Sequence, residues 1–212
     1  MIFKILISIL TEGFFKCIHF FIGTINFNTH KDYFISMSKI NFTPFPLLTT
    51  ERLTLRQLTL EDDNEIFRLR SDESVNKFLD RPIAKTIDDA IQFINKINKS
   101  IRKNELIYWA VTFKNHFKLI GTICLWNISD DCTNAEIGFE LLPDHQGKGV
   151  MQAVLPIVIK YGFEIMKLNF IEGEVDPNNL KSIKLMEKNG FILQRRLKNT
   201  LIYSLQNPNS IF

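Results

Sequence analysis

The segment Gly147-Lys148-Gly149 lies where an apolar run gives way to a long helical pattern. Such a strand-to-helix junction leaves several backbone N–H groups without helical acceptors, and the helix dipole favours negative charge at the same end. Two glycines without a Cβ let a ligand approach the main chain closely, and Lys148 adds positive charge. The segment therefore predicts a site for an anion such as a pyrophosphate, although a tight turn without a ligand would have the same local sequence.

Two familiar phosphate-binding patterns do not fit this segment. A dinucleotide-binding fingerprint requires a third glycine where Gln152 stands. A P-loop requires Ser or Thr directly after the lysine, where the chain has Gly149. The sequence therefore gives no support to either nucleotide-binding fold.

Two carboxylates precede the turn, on a strand predicted over Ala135 to Leu142. Because side chains alternate along a strand, Glu136 and Glu140 share one face with Gly138, and the apolar residues between them share the other face. Both carboxylates are candidates to face a substrate cleft. The alternative is that they are solvated strand residues, since acidic side chains are mostly exposed.

The elements before the turn indicate an α/β fold. Alternating apolar and polar residues predict a first strand over Thr49 to Gln57, and the acidic start of Leu60 to Arg70 predicts a helix. A second helix is predicted from Thr86, with isoleucines at helical spacing. Three runs rich in β-branched and aromatic residues then predict an antiparallel meander over Leu106 to Phe113, Phe117 to Ile128 and Ala135 to Leu142.

The second half of the chain alternates helices with strands. It predicts helices over Gly147 to Met166 and Leu180 to Lys188, a strand over Phe170 to Val175 between them, and a final pair of strands over Phe191 to Leu205. The whole order is β-α-α-β-β-β-α-β-α-β-β. It predicts one α/β domain built on a mixed sheet with helices on its faces.

Composition and charge exclude several classes of function. The hydrophobic content of 45% and charged content of 23% are ordinary for a globular chain. A net charge of +3 is too small to indicate nucleic-acid binding, which rests on a concentrated basic face. Cys17, Cys124 and Cys132 have neither metal-ligand spacing nor the density of a disulfide framework, so we expect no metal site and a reducing, cytoplasmic location.

Residues 1–36 differ from the remainder of the chain. They are rich in Phe and Ile, but Glu12 and Lys16 interrupt the apolar residues. A secretory signal is therefore a poor fit, and a membrane span of roughly 20 apolar residues would place these charges near its middle at considerable cost. We favour the hypothesis that Met37 is the true start and that residues 1–36 are translated upstream sequence, which leaves a single domain over residues 37–212.

Four segments spread over most of the chain match the conserved motifs of one known family: TERLTLRQ, IGTICLWNI, AEIGFELLPDHQGKGVMQAV and VDPNNLKSIKLMEKNGF. Together they make the stretch from about Leu47 to Leu205 resemble the GCN5-related N-acetyltransferases (GNAT), in particular the branch that includes the ribosomal-protein N-terminal acetyltransferases. The resemblance implies a mixed, mostly antiparallel sheet flanked by helices. It also implies acetyl-CoA as co-substrate, with its pyrophosphate on the GKG loop.

The resemblance further implies which residues form the site. The strand before the loop lines the pantetheine arm through its backbone, and Asn179 and Ser182 face the thioester. The implied cofactor-binding residues are Leu141, Leu142, Gln146, Gly147, Lys148, Gly149, Val150, Met151, Asn179 and Ser182. The implied catalytic residues are Glu136, Asn179 and Ser182, although Asn179 is also a suitable helix cap and Ser182 is also an ordinary helix-surface residue.

Acetyl transfer from a thioester requires a neutral amine, a polarised carbonyl and a protonated leaving thiol. An N-terminal α-amine with a pKa of about 7.7 to 8.0 is tens of per cent neutral near pH 7.4, whereas a lysine with a pKa of about 10.4 is only about one part in a thousand neutral. A modest base such as Glu136, acting through water, therefore suits the α-amine of a protein or peptide. The amine would attack directly in a ternary complex, without an enzyme nucleophile.

The loop departs from the family pattern at two positions. Asp144 stands where Gln or Arg is common, and Gln146 stands where Trp is common; in addition Gln152 replaces a frequent Glu of the close branch. Because backbone amides do most of the phosphate binding, we expect these changes to tune affinity rather than abolish it. Two alternatives stay open: an enzyme that acetylates small-molecule amines, and a module that binds acetyl-CoA without turnover.

Overall fold

The computed structural model describes residues 40–210 of the chain. The predictions made for residues 1–36, including Cys17, lie outside the described residues. Eight strands form one sheet in the order β1-β2-β3-β4-β5-β6-β8-β7. They are Leu48–Thr49 (β1), Leu53–Gln57 (β2), Ile107–Phe113 (β3), Leu119–Trp126 (β4), Asn134–Leu141 (β5), Phe170–Val175 (β6), Ile192–Arg196 (β7) and Leu201–Gln206 (β8). Neighbouring strands are antiparallel except β5 and β6, which run parallel, so the predicted mixed, mostly antiparallel sheet is confirmed.

Helices flank this sheet, and three of them precede β3. The helices are Asp63–Ser71 (α1), Glu73–Asn76 (α2), Ile87–Arg102 (α3), Val150–Glu164 (α4) and Leu180–Lys188 (α5). The predicted meander is the run β3-β4-β5, and α4 and α5 follow β5 and β6 as expected. None of the helices within residues 40–210 is both long enough and apolar enough to cross a membrane.

The prediction of one strand from Thr49 to Gln57 is wrong in its first half. The Thr50 hydroxyl accepts hydrogen bonds from the N–H groups of Arg52 at 3.2 Å and Leu53 at 2.9 Å. This local bonding competes with an extended chain and turns it, so that β1 folds back and pairs antiparallel with β2. The segment is a short hairpin.

The helices also differ from the prediction in two respects. The long helix begins at Val150 rather than Gly147, because Gly147 and Gly149 have φ values of +72° and +74°, which a right-handed helix does not contain. The short helix α2 was not predicted. It begins where the Asp72 carboxylate accepts the N–H of Val75 at 3.0 Å, a cap that ends α1 and starts another turn.

The two faces of the sheet pack against different helices. Trp109 of β3 meets Tyr161 of α4 edge-on, with ring centroids 5.3 Å apart. The preceding residue, Tyr108, meets Phe93 of α3 in the same manner at 5.8 Å on the opposite face. Alternation along β3 therefore separates an α4 face from an α3 face, and α1 packs with α3 on the latter. The apolar core fills both layers, and Trp109 is fully buried in it.

Candidate active site

β5 and β6 are paired only at their beginnings. The parallel ladder runs from Asn134–Phe170 to Glu136–Glu172 and ends there, although β5 continues to Leu141. On its other side β5 stays paired with β4 along this stretch. Alternate residues of β5 beyond Glu136 therefore direct main-chain N–H and C=O groups into a wedge between two diverging strands. Such groups need partners, so the wedge suits an extended ligand with amide groups.

The loop after β5 presents backbone donors at the end of this strand. The Ala153 N–H donates to the Gly149 carbonyl at 3.1 Å and makes the first i→i−4 bond of α4. The N–H groups of residues 150–152 consequently have no acceptor within the helix. A Cβ added at Gly147 or Gly149 would meet no atom within 4 Å, so the surface of the loop is open. These features suit a phosphate group.

Gln146 ties the loop to the strand before it. Its Nε2 donates to the carbonyl of Leu141 at 3.1 Å, and the next residue, Leu142, is buried. Lys148 is exposed between the two glycines. The predicted cofactor-binding residues from Leu141 to Met151 thus form one continuous edge from the end of β5 to the first turn of α4.

Glu136 lies where the β5–β6 ladder ends. Its Oε1 accepts a hydrogen bond from Nδ2 of Asn127 at 2.6 Å. Partial burial raises the pKa of the Glu136 carboxyl, the hydrogen bond from Asn127 opposes this shift, and the nearby carboxylates of Glu174 and Glu172 add to it. A carboxylate with a raised pKa is a stronger base than an ordinary one.

Glu140, the second carboxylate on the same face, has a different environment. Nη1 and Nη2 of Arg81 donate to its two oxygens at 2.6 and 2.7 Å. Nε of Arg81 donates to Oδ1 of Asn76 at 2.8 Å, and Asn76 is buried. The Glu140 carboxylate is therefore committed to an ion pair, which leaves Glu136 as the available base on this face. The partnership is not visible in local sequence patterns because Arg81 and Glu140 lie 59 residues apart along the chain.

The floor of this face is formed by Gly138 and its cross-strand neighbours. A Cβ at Gly138 would lie 3.2 Å from Sγ of Cys124 and 3.8 Å from Nε1 of Trp126. Because glycine has no side chain, a ligand can approach the backbone of β5 at this position. Burial raises the pKa of the Cys124 thiol to about 12, and it raises the pKa of Tyr108 well above its ordinary value. Neither group is a nucleophile or an acid suited to neutral pH. The Tyr108 hydroxyl instead donates to Oγ1 of Thr122 at 2.9 Å.

Asn179 and Ser182 lie beyond the carboxyl end of β6, the strand that forms the other side of the wedge. Oδ1 of Asn179 accepts the N–H of Ser182 at 3.2 Å, so Asn179 caps α5. Both residues are half-buried. The Ser182 hydroxyl forms no hydrogen bond with any residue between 40 and 210, which leaves it available to a ligand.

The described part of the chain contains no set of side chains arranged as metal ligands. No group of three or more His, Cys, Asp or Glu side chains in it is arranged to hold a metal ion. Cys124 and Cys132 are free thiols.

Comparison with known proteins identifies relatives of this sequence. A family model of the acetyltransferase (GNAT) domain matches residues 52–192. The uncharacterized N-acetyltransferase YoaA of Bacillus subtilis is 30% identical over 174 residues, which cover 77% of this chain and 98% of that protein. The spermidine N(1)-acetyltransferase of Vibrio cholerae is 28% identical over 147 residues, which cover 69% and 82%.

Solved structures share the fold. A GNAT-family acetyltransferase from Bacillus anthracis has a TM-score of 0.68 and 24% identity, over 76% of this chain and 99% of that one. The Vibrio cholerae spermidine N-acetyltransferase in complex with CoA and spermine has a TM-score of 0.67 and 24% identity, over 74% and 97%. The ribosomal-protein-S5-alanine acetyltransferase of Vibrio fischeri has 0.66 and 22%, over 77% and 98%. Because enzymes named for different acceptors match almost equally, the fold does not identify the acceptor.

Proposed function

The chain belongs to the GNAT acetyltransferase family, and we propose that it transfers the acetyl group of acetyl-CoA to the N-terminal α-amine of a protein or peptide. N-acetyl transfer from acetyl-CoA follows from membership of the family. The acceptor and the roles of individual residues are the proposal. It is carried by the position of Glu136, a carboxylate of raised pKa at the point where β5 and β6 diverge.

The edge from Leu141 to Met151 would hold the co-substrate. The open backbone N–H groups of residues 150–152 and the exposed Lys148 suit its pyrophosphate, and the unpaired main-chain groups of β5 suit its pantetheine amides. In that position an N–H of β5 would polarise the thioester carbonyl near Gly138. The divergence of the two strands supports this arrangement because it provides free main-chain groups on the strand that leads into the loop.

Glu136 and Ser182 would act on the reacting groups, and Asn127 and Asn179 would position them. Glu136 would accept a proton from the amine, directly or through one water, while Asn127 fixes the carboxylate through its 2.6 Å hydrogen bond. The free hydroxyl of Ser182 would donate a hydrogen bond to the leaving thiolate, which would take up its proton from water because its conjugate acid has an ordinary pKa of about 8.5. Asn179 would position Ser182, because its side chain caps the turn that carries the serine.

A small polyamine is the second candidate acceptor. Glu136 and Glu172 are register partners on β5 and β6, and Glu174 follows two residues later on the same face. These carboxylates attract cationic amines. One relative is named a spermidine N(1)-acetyltransferase, which accords with this alternative.

Thiol release from acetyl-CoA tests the choice between these acceptors. The purified chain is given peptides that begin with free Ala or Ser, the same peptides with a blocked N-terminus and one lysine, and spermidine. We expect turnover with the free α-amines, with a midpoint near about pH 8 and a plateau by about pH 9 as the amine loses its proton. Turnover with spermidine alone, or a rate with the blocked peptides that keeps rising toward about pH 10, would contradict the proposal.

A further inference from the structure

Arg70, near the end of α1, is a cation that the proposed chemistry does not use. Its Cζ lies 4.0 Å from the centroid of the Phe93 ring, over the face of the ring. Its guanidinium donates no hydrogen bond to the protein within residues 40–210, and the residue is half-buried. Stacking on Phe93 therefore holds the guanidinium in place while its N–H donors remain open to a ligand.

Arg70 lies over the face of the sheet that carries Glu136, Gly138 and Glu140, which we call the acceptor face. Phe93 packs edge-on against Tyr108, with ring centroids 5.8 Å apart. The charge of Glu140 contributes to the raised pKa of Tyr108, so the two side chains lie close together. Glu140 shares its face of β5 with Glu136. The carbonyl of Arg70 accepts the N–H of Ala84 at 3.0 Å, which fixes the end of α1 against the segment before α3.

Arg70 forms no ion pair with any residue in the described part of the chain. Glu140, whose charge acts on Arg70, gives both of its carboxylate oxygens to Arg81. Asp72 is engaged with the Ser74 hydroxyl at 2.5 Å and with the N–H of Val75. Burial lowers the pKa of Arg70, the charge of Arg81 lowers it further, and the carboxylate of Glu140 opposes both. An anion bound to the guanidinium would likewise oppose this shift, because it would favour the charged form of Arg70.

We propose that Arg70 binds a carboxylate of the acceptor, so that the preferred substrate carries a carboxylate close to its reactive amine. A guanidinium matches a carboxylate through two parallel N–H···O bonds, which gives geometric selectivity as well as attraction. The inference rests on the proposed function, in which the amine lies near Glu136 and the adjoining part of the peptide extends along β5 toward Glu140, whose charge acts on Arg70. The carboxylate would come from an acidic side chain in the first residues of a protein, or from the main chain of a very short peptide.

Matched acceptors test this proposal with the full chain and acetyl-CoA. One pair of decapeptides begins Ser-Glu or Ser-Gln, and one pair of dipeptides, Ala-Ala, carries a free or an amidated carboxyl end. We expect the carboxylate member of at least one pair to have a kcat/KM higher by roughly tenfold or more, mainly through KM. The pair that shows the preference identifies the source of the carboxylate, and equal values within both pairs would overturn the proposal.

Variants of Arg70 separate binding from folding. Arg70→Gln should erase the preference, and Arg70→Lys should retain part of the preference because the charge remains. Arg102→Gln removes the same charge from an exposed position at the end of α3 and should leave the preference unchanged. If Arg70→Gln keeps the preference, the proposal is wrong; if it does not fold, Arg70→Lys and the wild type decide.

The outcomes also distinguish this inference from the proposed function. If no peptide is acetylated but small amines are, the proposed function fails. The Arg70 inference is then judged on an amino acid and its amide, compared in the same way. If peptides are acetylated without regard to a nearby carboxylate, the proposed function stands and the Arg70 inference fails.

Discussion

The guanidinium of Arg81 donates to both carboxylate oxygens of Glu140, at 2.6 and 2.7 Å, and joins the segment after α2 to the strand that leads into the phosphate loop. The two side chains are only 18% and 15% exposed. Arg81 also donates to the buried Asn76 of α2, so one side chain connects α2 to β5. This connection has no counterpart in the local sequence patterns.

Arg81→Met should therefore destabilise the protein. The change leaves the Glu140 carboxylate largely buried without its partner, so we expect the free energy of unfolding to fall by about 3 kcal/mol. Urea unfolding followed by circular dichroism measures this loss. The double variant Arg81→Met/Glu140→Leu also removes the unpaired carboxylate of Glu140 and should recover part of the stability. Additive losses in the double variant would show that the pair is not coupled.

Glu136→Gln should slow catalysis without unfolding the protein. Loss of the base should lower kcat by about 100-fold, the low end for general base catalysis, with little change in the KM for acetyl-CoA. Steady-state thiol release measures this effect. An unchanged kcat would remove Glu136 from the proposed mechanism.

The stability of the same variant provides its control. Because the pKa of Glu136 is raised in the folded protein, folding favours the protonated carboxyl. The stability contributed by Glu136 is therefore fully present below the ordinary pKa of the group and is lost as the pH rises through the raised pKa. At about pH 8 Glu136→Gln should be at least as stable as the wild type, measured as the free energy of unfolding in urea.

Asn127→Gly should shift the acid limb of the pH profile. The Asn127 hydrogen bond favours the ionised form of Glu136, so its removal should raise the pKa of the carboxyl further. Since the base acts when deprotonated, the acid limb of kcat/KM should move to higher pH. Glycine suits the position because Asn127 has a φ of +47°. A limb that moves to lower pH would contradict this account of the Asn127–Glu136 pair.

Gly149→Ala should weaken the binding of acetyl-CoA. The φ of +74° at Gly149 disfavours a side chain by about 1 to 2 kcal/mol, so alanine should draw the loop toward other conformations. We expect roughly tenfold weaker binding by isothermal titration calorimetry. Gly149→Asn should lose less, because asparagine tolerates this conformation better. Equal affinities for wild type and Gly149→Ala would argue against the predicted phosphate site.

Substitutions at the start of α5 should separate capping from catalysis. Ser182→Ala removes only the free hydroxyl and should lower kcat by roughly tenfold while stability stays unchanged. Asn179→Ala should also lose about 1 kcal/mol of stability with its cap, whereas Asn179→Asp keeps the cap. Thermal unfolding and steady-state kinetics on the same preparations make the distinction. A Ser182→Ala enzyme with full kcat at all pH values would exclude the serine as a hydrogen-bond donor to the leaving thiolate.

Local patterns predicted much of the fold correctly. The β3-β4-β5 meander, α4 after the glycines and the alternation of Glu136 with Ile137 all depend on residues that are neighbours in sequence. Two of the errors arose where a side chain bonds the backbone of a residue three positions further along the chain. Thr50 turns the chain that alternation alone would extend, and Asp72 starts a short helix that periodicity does not reveal.

By itself the sequence determined the order of the elements from β3 onward, the glycine-rich junction and its likeness to an acetyltransferase loop, since these depend on short-range periodicity, chain stiffness and motif spacing. Only the tertiary structure decided which carboxylate is available. Glu136 and Glu140 occupy equivalent positions in the strand pattern, but Arg81 reaches Glu140 from 59 residues away while Glu136 lies where β5 and β6 part. The same is true of Arg70 above Phe93. Partners of this kind are set by how helices pack across a sheet, and side-chain spacing along the chain carries no record of it.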